Sequence, residues 1–543
     1  MAMVMSLHSL YAQEHKRVEV TKNYTHEASP AKKMVAPTQI SDAPVIEPEI
    51  SYSVSPETWQ IELEDHNFNP ATASYWDNNR GERLFSRIAV GYPLVTDFAV
   101  RYATHNVRLG YFGVGVEHDG NFAMRENGLG IKQSIANSFA MSNRVDVSGG
   151  LVVGRQMLEA RVDYDNSILN RYAKATPDRL AFNDADVSVR YGDDFVDLSR
   201  INFGVEVDGG YWNGGIPAVG DAMLGEFNAN VGLNLARNFH GNVVGFEAGF
   251  GLWKGDAASR YRDVAFNVGV NYGRSFGIVD LKAEVQYMHD KVSGNRGRSY
   301  FMPALRVDFN LDKVAIVPFI EFSTNIKHNN IESLYEANPF IDYMAMQGVF
   351  GTMASTRSYD LHFGIMGADR ASKLAYRVYL GSSFIADQML WYVSELGTFG
   401  FAQGNNNRLF VGAELEYQPV GGLRLAASAR AHMDRTNSIY AVSDAKIVAG
   451  VLAEYCLQRW KFNLSGDFRS KRSWSGVANV EGVAPMAFTA PACFDLKANI
   501  AFKVTSSIEA YAEGYNLLNQ PIFDYAHYYQ NGIGFMLGVK IDF

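Results

Sequence analysis

Cysteine is nearly absent: Cys456 and Cys493 are the only two in 543 residues. Two thiols cannot build a disulfide framework or a cysteine-based zinc site. Proline is scarce as well, at 16, which argues against a disordered or collagen-like chain. No run of eighteen apolar residues occurs, so a transmembrane helix is excluded. An excess of positive charge is missing too. The formal net charge is −9 and no basic face stands out, which excludes nucleic acid as a partner.

Signals for chemistry are equally thin. The histidines, among them His118, His240, His328, His362 and His527, are scattered without metal-ligand spacing. No glycine-rich loop with phosphate-cradling spacing is present, so no cofactor is expected. Ser428 and His432 sit two pairs apart on one strand, too far for a nucleophile and its base. The expectation is therefore a protein that is not an enzyme.

What the chain does have is glycine (49), tyrosine (29) and phenylalanine (34), arranged with a period of two. At the C-terminus Ile533, Phe535, Leu537, Val539, Ile541 and Phe543 alternate with Gly534, Met536, Gly538, Lys540 and Asp542. Val279, Leu281, Ala283, Val285 and Tyr287 alternate with Asp280, Lys282, Glu284 and Gln286. The same pattern recurs at 244–252, 409–417, 423–432 and 494–504. These runs are about ten residues long, the length a tilted strand needs to cross a hydrocarbon layer. Backbone groups in lipid need internal partners, so repeated spanning strands must close on themselves.

The fold class read from this pattern is all-β: a transmembrane antiparallel β-barrel of about 22 strands. Short connections such as Pro419 to Gly422 and Val504 to Ser507 alternate with long ones. The long ones are Gly120 to Asn143, Lys327 to Ser358, Ala386 to Asn407 and Arg469 to Ala490. Short periplasmic turns and long outer loops are the expected asymmetry of such barrels. The barrel spans 81–543 and faces outer-membrane lipids, and the two cysteines fall at opposite ends of its wall as free thiols.

The polar faces then line the lumen, with Lys282, Glu284, Glu414, Glu416, Arg424, Arg430, Asp495, Lys497 and Lys503 as its candidate charged lining. Trp253, Tyr287, Tyr417 and Trp460 read as girdle residues at the membrane interfaces. A barrel of this strand number is too wide for side chains alone to fill, so an occluder or a partner is expected. The loop Lys327 to Ser358, with Tyr335, Phe340, Tyr343, Met344, Met346 and Phe350, is more apolar than a solvated loop needs. It either folds inward over the mouth or offers a docking surface to a substrate or a surface lipoprotein.

Residues 1–12 read as a signal-peptide remnant, with Leu10-Tyr11-Ala12 before Gln13 resembling a cleavage site. Residues 13–80 are polar and concentrate proline. They form a periplasmic tail, a lumen occluder, or a strand-pairing segment for a partner.

The last fifty residues resemble the closing strands of TonB-dependent receptors. The likeness covers Phe494 to Val504, Ile508 to Tyr515, the Asn516-Leu517-Leu518-Asn519 step and the final strand ending in Phe543. It implies the outer membrane of a Gram-negative bacterium and passage or uptake of solutes. Phe543 is similar to the terminal signal read by the barrel-assembly machinery. Val18-Glu19-Val20-Thr21 resembles the short segment such receptors offer to TonB. The chain departs from the family before its first strand, where 13–80 is too short for a full plug. The alternative is a non-transporting scaffold that anchors a surface-exposed or envelope-assembly complex.

Overall fold

The computed structural model describes residues 84–543 apart from short segments at 107–109, 220–222, 257–259, 293–296, 312–315, 344–348, 350–351, 370–372 and 478–486. The N-terminal segment 1–83, with Val18 to Thr21, lies outside the described residues.

Alternation of side chains decides the architecture. In the strand Val279–Lys291, Val285 is 53% exposed while its neighbour Gln286 is 6% exposed. One face of each strand therefore presents aliphatic side chains outward, and the other turns polar groups inward. Twenty-two strands carry this pattern around a closed wall, each antiparallel to its neighbours. The first wall strand, Leu84–Tyr92, pairs with the last, Gly534–Asp542, from Phe85 opposite Asp542 to Tyr92 opposite Phe535. Reciprocal backbone hydrogen bonds between Leu84 and Phe543, 3.1 and 2.9 Å, extend that seam to the final residue. Closure leaves no strand edge facing lipid, which is what a membrane wall requires.

The longest connections gather at one end, which they share with the tight turn at 93–94. The loops 121–140, 327–356, 469–493 and 515–534 lie there, and turns such as Gly241 and Gly277 lie at the other end. Cys456 is exposed beside the short turn at 458–459, whereas Cys493 is buried where a strand leaves the long loop 470–492. Both are free and at opposite ends of the wall, as the strand pattern predicts.

Two readings are corrected. Ala386 to Asn407 is not an irregular loop. The strands Leu374–Glu395 and Thr398–Tyr417 pair almost to their tips, through a bulge between Ile385 and Gln388. This ribbon outruns the other strands and packs against the loops, so its apolar residues lose the two-residue period on which the sequence reading relied. At its tip Gly397 takes a φ of +77°, and a Cβ there would lie 2.7 Å from the backbone nitrogen of Lys174. Only glycine fits that turn. Trp253 is not a girdle residue either. It is buried on the inner face and stacks on His328 with centroids 4.1 Å apart.

Candidate functional site

The chemistry-bearing surface is the lumen and the structure that closes it. Opposite sides of a wall of this strand number are too far apart to fill the interior with their own side chains, so the loops fold inward over the inner aromatic residues. Tyr343, Phe399, Ile331 and Ile341 have no exposed surface at all. Tyr335 stacks on Trp212 of the wall at 4.2 Å and on Tyr343 at 4.6 Å. Phe340 stacks on Tyr528, from a loop nearly two hundred residues later, at 3.6 Å. Burying a side chain of this size contributes about 1.5–3 kcal/mol, so a cluster of this extent holds the loops as a unit.

Polar contacts tie the same loops together. The Tyr172 hydroxyl donates to the Tyr529 carbonyl at 2.8 Å, and the Tyr528 hydroxyl donates to the Gly397 carbonyl at 2.6 Å. Arg171 donates to the Ile341 carbonyl at 3.3 Å, and the backbones of Phe340, Asp342 and Phe399 exchange hydrogen bonds. The described residues of the loop Lys327 to Ser358 thus pack over the mouth, the first of its two expected roles. Tyr335, Phe340 and Tyr343 are buried in the lid. Met344, Met346 and Phe350 lie outside the described residues.

The lid is clasped to the wall at one carboxylate. Asn330 caps the helix Ile331–Ala337, accepting from the Ser333 amide at 3.2 Å. Ahead of that helix sits Glu226 of the wall strand Met223–Phe239, 1% exposed. It accepts from the Ile331 amide at 2.9 Å, from the Asn330 side chain, and from the Tyr261 hydroxyl. A helix N-terminus has unsatisfied N–H groups, and a buried carboxylate from the wall satisfies one of them. Glu332, in the first turn of the helix, is pushed up to about 8, chiefly by burial and then by Asp184, Glu226, Asp186 and Glu336.

Beneath the lid lies a cavity of about 1130 Å³. Of the expected lumen residues, Glu414, Arg430, Asp495 and Lys497 line it, joined by Arg408, Asp467 and Glu513. Lys497 pairs with Asp495 at 3.2 Å, and the Arg430 guanidinium lies over the Phe410 ring at 5.3 Å. The other expected residues stand elsewhere. Arg424 bridges Glu416 and Glu454 at 2.8 and 2.9 Å toward the short-turn end. Glu284 accepts from Gln286 at 2.7 Å, and Lys282 stands opposite Arg306 on the next strand. Lys503 is exposed at the short-turn rim.

Sequence reasoning missed Glu226, Asp184, Asp186 and the helix they face. Their even spacing along the strands marks them as inward-pointing. Nothing local shows that a loop a hundred residues later descends onto them. Among the described residues, Asp184, Asp186 and Glu332 are the one group of carboxylates close enough to share an ion, and no histidine joins them.

A closed wall of twenty-two antiparallel strands with an apolar exterior and a polar, lidded interior defines an outer-membrane β-barrel. No family profile and no curated protein matches the chain. Solved structures do. The FrpB iron transporter from Neisseria meningitidis superposes with a TM-score of 0.67 at 9% identity, over 86% of this chain and 82% of that one. The ferric-catecholate import receptor Fiu from E. coli K12 gives 0.64 at 8% identity, over 86% and 82%. The copper transporter OprC gives 0.63 at 14%, over 85% and 81%. The barrel thus has the TonB-dependent receptor fold.

Proposed function

We propose that this chain mediates passage or uptake of a polar solute across the outer membrane, through a lumen that its own loops close. The observation that carries this reading is the charged cavity beneath an aromatic lid. A scaffold has no need of a polar chamber about 1130 Å³ in size, whereas a solute crossing the wall needs a wet path with paired charges along it. The mixed signs of Glu414, Arg430, Asp495 and Lys497 fit a polar solute and not a single ion type. Lys282, Glu284, Glu416, Arg424 and Lys503 carry the same polar surface toward the other end. That the solved structures of this fold include a copper transporter, an iron transporter and an import receptor supports the direction of the reading.

In this reading residues 13–80 act at the short-turn end, as a tail or partial occluder. Val18 to Thr21 offer a contact to TonB, and Phe543 serves insertion by the barrel-assembly machinery. A surface lipoprotein would meet the outer side of the lid. The expected behaviour is closure at both ends. In planar bilayers the full chain and a form lacking 13–80 should conduct little. Adding Phe340→Ala and Tyr528→Ala to the shortened form should yield large, steady single-channel conductance. Silence from all of these, with heat-modifiable gel migration showing folded barrels, sinks the passage reading and leaves the scaffold.

A further inference from the structure

Three carboxyl groups converge where the lid helix meets the wall. Oxygens of Asp184, Asp186 and Glu332 lie within 4.8 Å of one another. The two aspartates share the inner face of the strand Arg179–Gly192, and Glu332 opens the helix Ile331–Ala337. Every element packed against Glu332 adds further acid or a neutral donor. The strand Met223–Phe239 brings Glu226, and also Asn228, which donates to Glu332 at 3.2 Å. The helix adds Glu336, and its cap Asn330 lies 3.5 Å from the same oxygen. Asp165 and Asp163 of the strand Gln156–Asn170 face Asp186, and Tyr261 donates its hydroxyl to Glu226.

Of the nearby cations, Arg144 also faces Asp186 of the triad, while its ion pair is with another acid. Arg144 pairs with Asp165 at 3.3 Å, and His328 faces Asp263 at 3.4 Å. Among the described residues no ion pair forms with any of the three, and acids in such contact are stable together only while protons are shared among them.

We propose that this carboxyl triad is a pH-operated latch on the lid. With Glu332 neutral, the helix rests against Asp184 and Asp186. With Glu332 ionised, the wall repels it and the helix Ile331–Ala337 lifts from the wall. The latch regulates the same lid that the transport reading uses, and so rests on that reading for its purpose.

Docking raises the Glu332 carboxyl from its ordinary 4.5 to about 8. The docked state is therefore unpenalised below 4.5, loses ground as pH rises from there, and reaches its full penalty above about 8.

The latch is read by amide hydrogen exchange of residues 331–337 in the full chain in detergent micelles, corrected for intrinsic exchange. Between pH 6 and pH 9 the wild-type helix should lose protection by on the order of tenfold or more, since each unit of pKa shift is a tenfold factor. Glu332→Gln should stay protected at pH 9, and Asp186→Asn should show a reduced response. Loss of protection with pH that is equal in all three proteins overturns the latch. So does Glu332→Gln exchanging freely at pH 6, because a neutral side chain is then not what docks. The exchange needs no solute to cross, so a failed conductance experiment and a failed latch are separate results.

Discussion

Replacing Glu226 by alanine is expected to free the lid helix while leaving the wall intact. The carboxylate accepts from the Ile331 amide, the Asn330 side chain and the Tyr261 hydroxyl, and all of these sit in a site where Glu226 is 1% exposed. Alanine would take this acceptor from the two lid donors, the Ile331 amide and the Asn330 side chain, at about 1–3 kcal/mol for each one that finds no other acceptor. One full loss and partial rescue of the other gives about 3 kcal/mol against docking, on the order of a hundredfold. An opposing effect exists, because Glu226 is one of the acids that press on Glu332. At pH 6 it is small, since a carboxyl pushed up to about 8 is already neutral there and has little repulsion to relieve. Protection of 331–337 should therefore fall about a hundredfold at pH 6, while the temperature of barrel unfolding barely moves. Glu226→Gln keeps one acceptor oxygen and should fall between the two. Unchanged protection in Glu226→Ala would mean that the aromatic stack alone holds the lid.

The contrast between wall and lid also explains what could be read from the residues alone. A wall strand writes its environment into every second position, because lipid takes one face and the lumen the other. Leu537 and Val539 against Met536 and Gly538 show it, and so do Val285 and Gln286. That periodicity yields the barrel, its roughly twenty-two strands and the final strand ending in Phe543. It fails where a strand leaves the membrane. Gln388 to Tyr392 has apolar residues on both faces because one face meets the lid, and the alternation vanishes although the pairing continues. Trp253 departs for another reason: its parity, which points inward with Gly249 and Gly251, outweighs the general preference of tryptophan for interfaces.

The lid itself was legible only as an excess of apolar residues in one loop. Its contacts join Tyr172 to Tyr529 and Glu226 to Ile331 across 357 and 105 positions. Such pairings have no local signature. Composition can say that a loop needs burial, but only the assembled wall determines where the burial happens.

The two faces of a single strand supply the strongest test of the membrane assignment. Val285 and Glu284 are adjacent in the middle of Val279–Lys291, yet the side chain of Val285 is half exposed on the outer face and Glu284 hydrogen-bonds Gln286 on the inner one. In a soluble barrel an exposed valine could become arginine at almost no cost, within about 0.5 kcal/mol. In a bilayer the same arginine near the midplane costs about 2–4 kcal/mol, because the guanidinium must give up water that the hydrocarbon does not replace. Glu284→Gln, by contrast, keeps the size and an acceptor oxygen and faces a wet lumen, so it should cost well under 1 kcal/mol. Reversible unfolding in lipid vesicles by urea should therefore separate the two variants by at least about 1–2 kcal/mol, with Val285→Arg the weaker. The same pair compared in detergent should lie closer together, since a micelle thins around a charge more readily than a bilayer does. If Val285→Arg is as stable as the wild type in vesicles, the outer face of this strand does not meet lipid. If Glu284→Gln is the more damaged of the two, the register places the wrong face outward, because a slip of one residue exchanges every inner side chain for an outer one.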